Sequence, residues 1–88
     1  MTWEIEWAED AAKEFRKLNK TVQKEIRDYL VKRIAPAEDP RRFGKPLKRN
    51  LSGLWRYRIA DYRVICKIKD DTVTIMVLWV AHRRHIYQ

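Results

Sequence analysis

A chain of 88 residues with a formal charge of +8 and 45% hydrophobic side chains is sized for one domain around one modest core. It is too short for a multi-domain enzyme, a dinucleotide-binding unit or a (β/α)8 barrel, and too apolar for a disordered tail. The single cysteine, Cys66, excludes an internal disulfide and suits a reducing cytoplasm. The longest apolar run, Ile75 to Ala81, is far below the ~20 residues that span a bilayer, and the acidic, alternating N-terminus does not read as a signal peptide.

Trp3, Ile5 and Trp7 alternate with Glu4 and Glu6, a period of two that predicts a half-buried strand. Glu9 and Asp10 then suit a helix start, Ala11, Ala12, Phe15 and Leu18 follow at helical spacing, and Glu9 can pair with Lys13 one turn on. Asn19-Lys20 breaks the run and Thr21 is the expected cap of a second helix with Val22, Ile26, Tyr29, Leu30 and Ile34 as its apolar stripe. Pro36 and Pro40 end it, and residues 41–50 read as an irregular basic loop. Ser52-Gly53, Ala60-Asp61 and Asp70-Asp71 are turns between three strands. In the first, Trp55, Tyr57 and Ile59 face one way and Arg56 and Arg58 the other. In the second, Tyr62, Val64, Cys66 and Ile68 oppose Arg63, Ile65 and Lys67. The third, Thr72 to Val80, is β-branched and almost wholly apolar, as a central strand buried on both faces would be.

The predicted fold is therefore α+β, in the order β-α-α-β-β-β, over a single domain spanning residues 1–88. The last three strands form an antiparallel meander and a two-helix hairpin packs on one face of the sheet. The other face, which carries the strand arginines, stays open.

Charge is segregated along the chain. Residues 1–40 hold 8 basic and 9 acidic side chains, whereas residues 41–88 hold 12 basic and 3 acidic ones. A field concentrated in this way points to a polyanion, most often nucleic acid, more than to solubility alone. Arg56 and Arg58 share a strand face, and a tight hairpin can bring Arg63 beside either. Guanidiniums match phosphate bidentately; the alternative is three surface arginines that snorkel from an exposed sheet. His82, Arg83, His85 and Tyr87 follow the last strand and offer a proton carrier, a cation and an aromatic hydroxyl. The four tryptophans read as packing rather than base-stacking platforms, with Trp55 partly exposed, and Cys66 as a small core residue. Two histidines and one cysteine without ligand spacing make a weak zinc case, and no glycine-rich phosphate loop is present.

The segment Leu51-Ser-Gly-Leu-Trp-Arg-Tyr-Arg-Ile, then Asp61-Tyr-Arg-Val-Ile, then Val80-Ala-His-Arg-Arg-His-Ile-Tyr, with Gly44-Lys-Pro-Leu-Lys upstream, resembles the RelE branch of the RelE/ParE toxin superfamily over nearly the whole chain. The resemblance implies a curved antiparallel sheet and a cytoplasmic toxin that cuts messenger RNA in the ribosomal A site. It also implies silencing by a cognate acidic, RelB-like antitoxin in a hetero-oligomer, with no membrane partner. By the same resemblance Arg56 and Arg58 match the basic pair of one strand, Arg63 the phosphate-binding arginine of the next, Arg83 the arginine after the last strand, and Tyr87 the C-terminal tyrosine. The basic pair is often lysine in relatives and is arginine here, the interval from Arg83 to Tyr87 is short, and no extra C-terminal helix is expected. Arg41, Arg42, Lys45, Lys48 and Arg49 of the loop, with Arg84 and His85, are expected to bind RNA and the ribosome.

The implied chemistry needs no cofactor and no metal: the 2′-OH attacks the neighbouring phosphorus and a 2′,3′-cyclic phosphate results. Arginine would be a poor base, at roughly 8 kcal/mol for deprotonation at pH 7. The arginines are therefore expected to bind phosphate and stabilise charge, with His82 as proton carrier, His85 as second choice, or the ribosome supplying the group. Two other classes stay open: a ParE-like gyrase poison that acts by binding, and a non-catalytic RNA- or ribosome-binding module.

Overall fold

Glu4–Trp7 (β1) is extended, with exposed Glu4 and Glu6 alternating with half-buried Ile5 and Trp7. Helix α1 follows at Glu9–Arg16 and α2 at Lys20–Asp28. Glu9 reaches Lys13 at 3.6 Å, as expected one turn apart. The cap of α2 is Asn19, not Thr21: the Asn19 side chain accepts from the Val22 N–H at 2.9 Å, which places Thr21 inside the first turn. The α2 helix runs on as a π-helical turn, Tyr29–Ile34, closed by Ala35 N–H donating to Leu30 O at 2.8 Å. Pro36 then stops it.

The computed structural model describes residues 2–84. After a short 3-10 turn at Pro40–Phe43 come β2 (Lys45–Pro46), a second 3-10 turn at Arg49–Leu51, β3 (Leu54–Ile59), β4 (Tyr62–Lys69) and β5 (Thr74–His82). The strands make one sheet in the order β1-β5-β4-β3-β2. The meander of β3, β4 and β5 is antiparallel as predicted. The sheet as a whole is mixed, because β1 pairs with β5 in parallel. The two-residue β2, which the sequence offered only as loop, adds a fifth strand antiparallel to β3 at the far edge. The last strand also starts two residues later than expected, since Val73 takes a left-handed φ of 51° in the turn. It lies between β1 and β4, and β4 is the middle strand.

The helices cover one face. Ala11, Ile26, Leu30 and Ile34 meet Tyr57, Ile59, Val64, Cys66, Ile75, Val77 and Val80 in one cluster. Trp3 and Trp7 pack at its margin, Trp7 against Phe15 with ring centroids 4.7 Å apart. Cys66 is fully buried, and burial pushes its thiol far up. Among the described residues, no helix is long and apolar enough to cross a membrane.

Candidate nucleic-acid interface

On the face away from the helices, strand register sets the side chains in rows. Arg58 of β3 stands directly opposite Arg63 of β4, which pairs in turn with Ala81 of β5. The next row is Lys45, Arg56, Ile65 and Trp79. Directly opposed side chains on an antiparallel pair have Cβ atoms ~4.5–5.5 Å apart, so two guanidinium stems rise side by side with the third on the diagonal. Arg58 is exposed, and Arg56 and Arg63 are half-buried, with Nε and Nη1 of Arg63 shut off from solvent. Like charges in cross-strand contact are destabilising, and an anion seated over them reverses that sign. Arg83 N–H donates to Asp61 O at 2.9 Å, which carries the β4–β5 ladder one step past His82. Exposed Arg83 thus stands two residues beyond Ala81, at the Arg63 end of this face.

Arg56 also belongs to a groove of about 420 Å³ between β3 and the preceding loop, lined by Lys45, Pro46, Leu47, Lys48, Arg49 and Leu51 among others. Its lining joins cations to apolar Pro46, Leu47 and Leu51, and Arg49 is held at a left-handed φ of 60°. Three contacts fix the loop. The buried Tyr57 hydroxyl donates to Pro40 O at 2.7 Å, and burial raises its phenol far above the ordinary value. Gly44 lies so close to β3 that a Cβ would sit 3.0 Å from Arg56 O and 3.0 Å from Tyr57 Cε1. Arg41 is ion-paired to Asp70 and, at 3.3 Å, to Asp39. The Asp70 hydrogen bond raises the Arg41 guanidinium further, and Arg41 holds the Asp70 carboxyl below its usual range.

Comparison with known proteins agrees with this fold. The family model described as the ParE toxin of type II toxin–antitoxin systems matches residues 5–87. The chain belongs to the RelE/ParE toxin family. Toxin RelG of Mycobacterium tuberculosis is 40% identical over 52 residues, 59% of this chain and 60% of RelG. Toxin RelE of the same organism is 38% identical over 50 residues, 57% of this chain and 52% of that protein. The matches therefore span between a half and three fifths of these relatives. Among solved structures, the toxin–antitoxin complex RelBE2 from M. tuberculosis superposes with a TM-score of 0.85 at 26% identity, covering 94% of this chain and 93% of that one. An E. coli RelE mutant in the free state gives 0.74 at 27% identity, covering 93% and 84%.

The RelE/ParE-family toxin brings Arg56, Arg58, Arg63, Arg83, Lys45, Lys48 and Arg49 to one side. It does not bring all the candidates there. His82 pairs with Tyr62 across β4–β5, and the two rings meet edge-on at 5.3 Å. Since Tyr62 packs on the helix-side core, His82 points away from Arg63, and its Nδ1 accepts the Arg84 N–H at 3.3 Å. His82, expected as the proton carrier, thus adjoins Arg83 in the chain and lies on the opposite face from Arg63. Arg41, expected to bind RNA, ties the loop to the β4–β5 turn through Asp70, and exposed Arg42 lies over the Phe43 ring at 5.9 Å. Arg84 is exposed in the turn after β5. His85 and Tyr87 lie outside the described residues. One residue was missed: Trp79, read as packing, sits in the arginine row.

Proposed function

We propose that the toxin is an RNA endonuclease that cuts messenger RNA in the ribosomal A site and that an acidic, RelB-like antitoxin restrains it. The observation that carries this reading is the cross-strand pair Arg58–Arg63, with Arg56 on the diagonal and a cationic groove beside it. The 2′-O–P bond forms as the P–O5′ bond breaks. The 2′ proton is lost, the 5′ oxygen takes one up, and a 2′,3′-cyclic phosphate remains. Negative charge gathers on the phosphoryl oxygens in between, where fixed guanidiniums stabilise it without reorganising. A base contributes ~10²–10⁴-fold, worth less than deprotonating an arginine costs, so the arginines act as cations. In this reading they take the part that a metal ion plays elsewhere. A face of this charge suits an acidic segment that folds on binding, and the RelBE2 complex among the similar structures is consistent with that partner.

The matched family model is that of ParE, which favours one second reading: a poison of gyrase that acts by binding. Primer extension on translated messages after brief induction, with pulse labelling, separates the two. Discrete cuts within codons and an early fall in protein synthesis, both lost in Arg63→Ala, are expected. Intact messages with DNA synthesis failing first overturn the nuclease.

A further inference from the structure

The strand β5 does not alternate regularly. Ile65 pairs with Trp79 and the adjacent Cys66 with Val77, so Leu78 is an extra residue in the ladder. Ile75 and Val77 lie in the helix-side core before this bulge, and Val80 lies there after it. Unbroken alternation from Val77 would put Trp79 in that core as well. The bulge turns it over onto the arginine face, and re-aiming a side chain is what bulges beside functional sites do. Trp79 is there half-buried, whereas Trp3 and Trp7 pack on the helix side and Trp55 pairs with Cys66, a helix-side residue.

The neighbours of Trp79 complete a shape. Across the sheet, fully buried Ile65 separates it from Arg56. Two residues along β5, small Ala81 opposes Arg63. The indole is therefore a wall, Ala81 a low floor, and Arg63 and Arg58 the far side. Diagonal neighbours of this kind lie ~7–8 Å apart, a span suited to a phosphate over one and a planar base against the other. Aromatic rings take any base by its π-face, and a cationic track holds the backbone: together these are the parts of a single-strand site.

We propose that Trp79 is a substrate-positioning residue that stacks on one nucleobase of the RNA whose phosphates Arg58 and Arg63 hold. The inference rests on the reading of this face as an RNA site and adds the base contact to it. Single-stranded RNA is the occupant the charge favours; an apolar segment of the antitoxin is the competing one.

The test is binding of labelled full-chain toxin to ribosomes programmed with a codon that carries 2′-deoxy sugars against cleavage, and one abasic residue walked through it. Wild type loses about tenfold or more in affinity at one abasic position, and Trp79→Leu no longer distinguishes it. Trp79→Phe, which keeps a ring, retains part of the distinction and guards against a variant that fails to fold. The salt dependence, set by phosphate contacts, stays unchanged in Trp79→Leu. Equal abasic penalties in wild type and Trp79→Leu overturn the stacking role, as does a variant that weakens only the antitoxin complex. Base-dependent binding with uncut native message leaves the stacking role standing and removes the nuclease. Messages cut normally by a base-blind wild type do the reverse.

Discussion

The two faces of this sheet are made by the same three long strands and obey different rules. On the helix side Tyr57, Val64, Cys66, Ile75 and Val77 are fully buried against Ile26 and Leu30, each large aliphatic group contributing about 1.5–3 kcal/mol. On the other side, alternate residues of those strands are Arg56, Arg58, Arg63 and Lys67 around buried Ile65, and two guanidinium stems stand directly opposed. One face holds the helices and the other gathers cations suited to an anion. Stability and activity should therefore come apart when substitutions are sorted by face.

The largest effect on the fold belongs to the helix side. Leu30→Ala should cost about 2–5 kcal/mol and lower Tm by about 10 °C or more, read by thermal unfolding. Under the proposed nuclease, Arg58→Ala and Arg83→Ala should each lower single-turnover cleavage about 10²–10³-fold and leave Tm within ~2–4 °C. A Tm loss comparable to that of Leu30→Ala would erase the distinction between the faces. Tyr57→Phe tests the joint between them. It removes the donor to buried Pro40 O, so a loss of about 1–3 kcal/mol is expected, with weaker RNA binding through the loosened Lys45–Arg49 loop, measured on programmed ribosomes.

The smallest effect is at the exposed Arg41–Asp70 pair. The folded Asp70 pKa lies below its unfolded value, so its contribution is present above that value, near 3.9, and is lost as pH falls through the folded pKa. The Tm difference between wild type and Asp70→Asn should be constant from pH 7 to about 5 and close below about 4. A difference that persists at lower pH would mean that Asp70 acts by something other than its charge.

Sequence periodicity by itself determined the element order, the antiparallel meander and the sides taken by Tyr57, Val64 and Cys66 against Arg56, Arg58 and Arg63, because the side-chain period of a regular strand is two. The charge imbalance of residues 41–88 and the three-segment resemblance were legible for the same reason: they are local. Three things required the tertiary structure. The parallel pairing of β1 with β5 and the edge strand β2 are long-range pairings that neither β1 nor two loop-like residues announce. Arg41 becomes a strut because Asp70, 29 residues away, closes on it. The bulge at Leu78 sends Trp79 to the arginine face and, with it, returns His82 to the helix side. A bulge is settled by the fit of β5 to β4 across the sheet, and a one-residue slip in that fit exchanges the faces of every side chain beyond it.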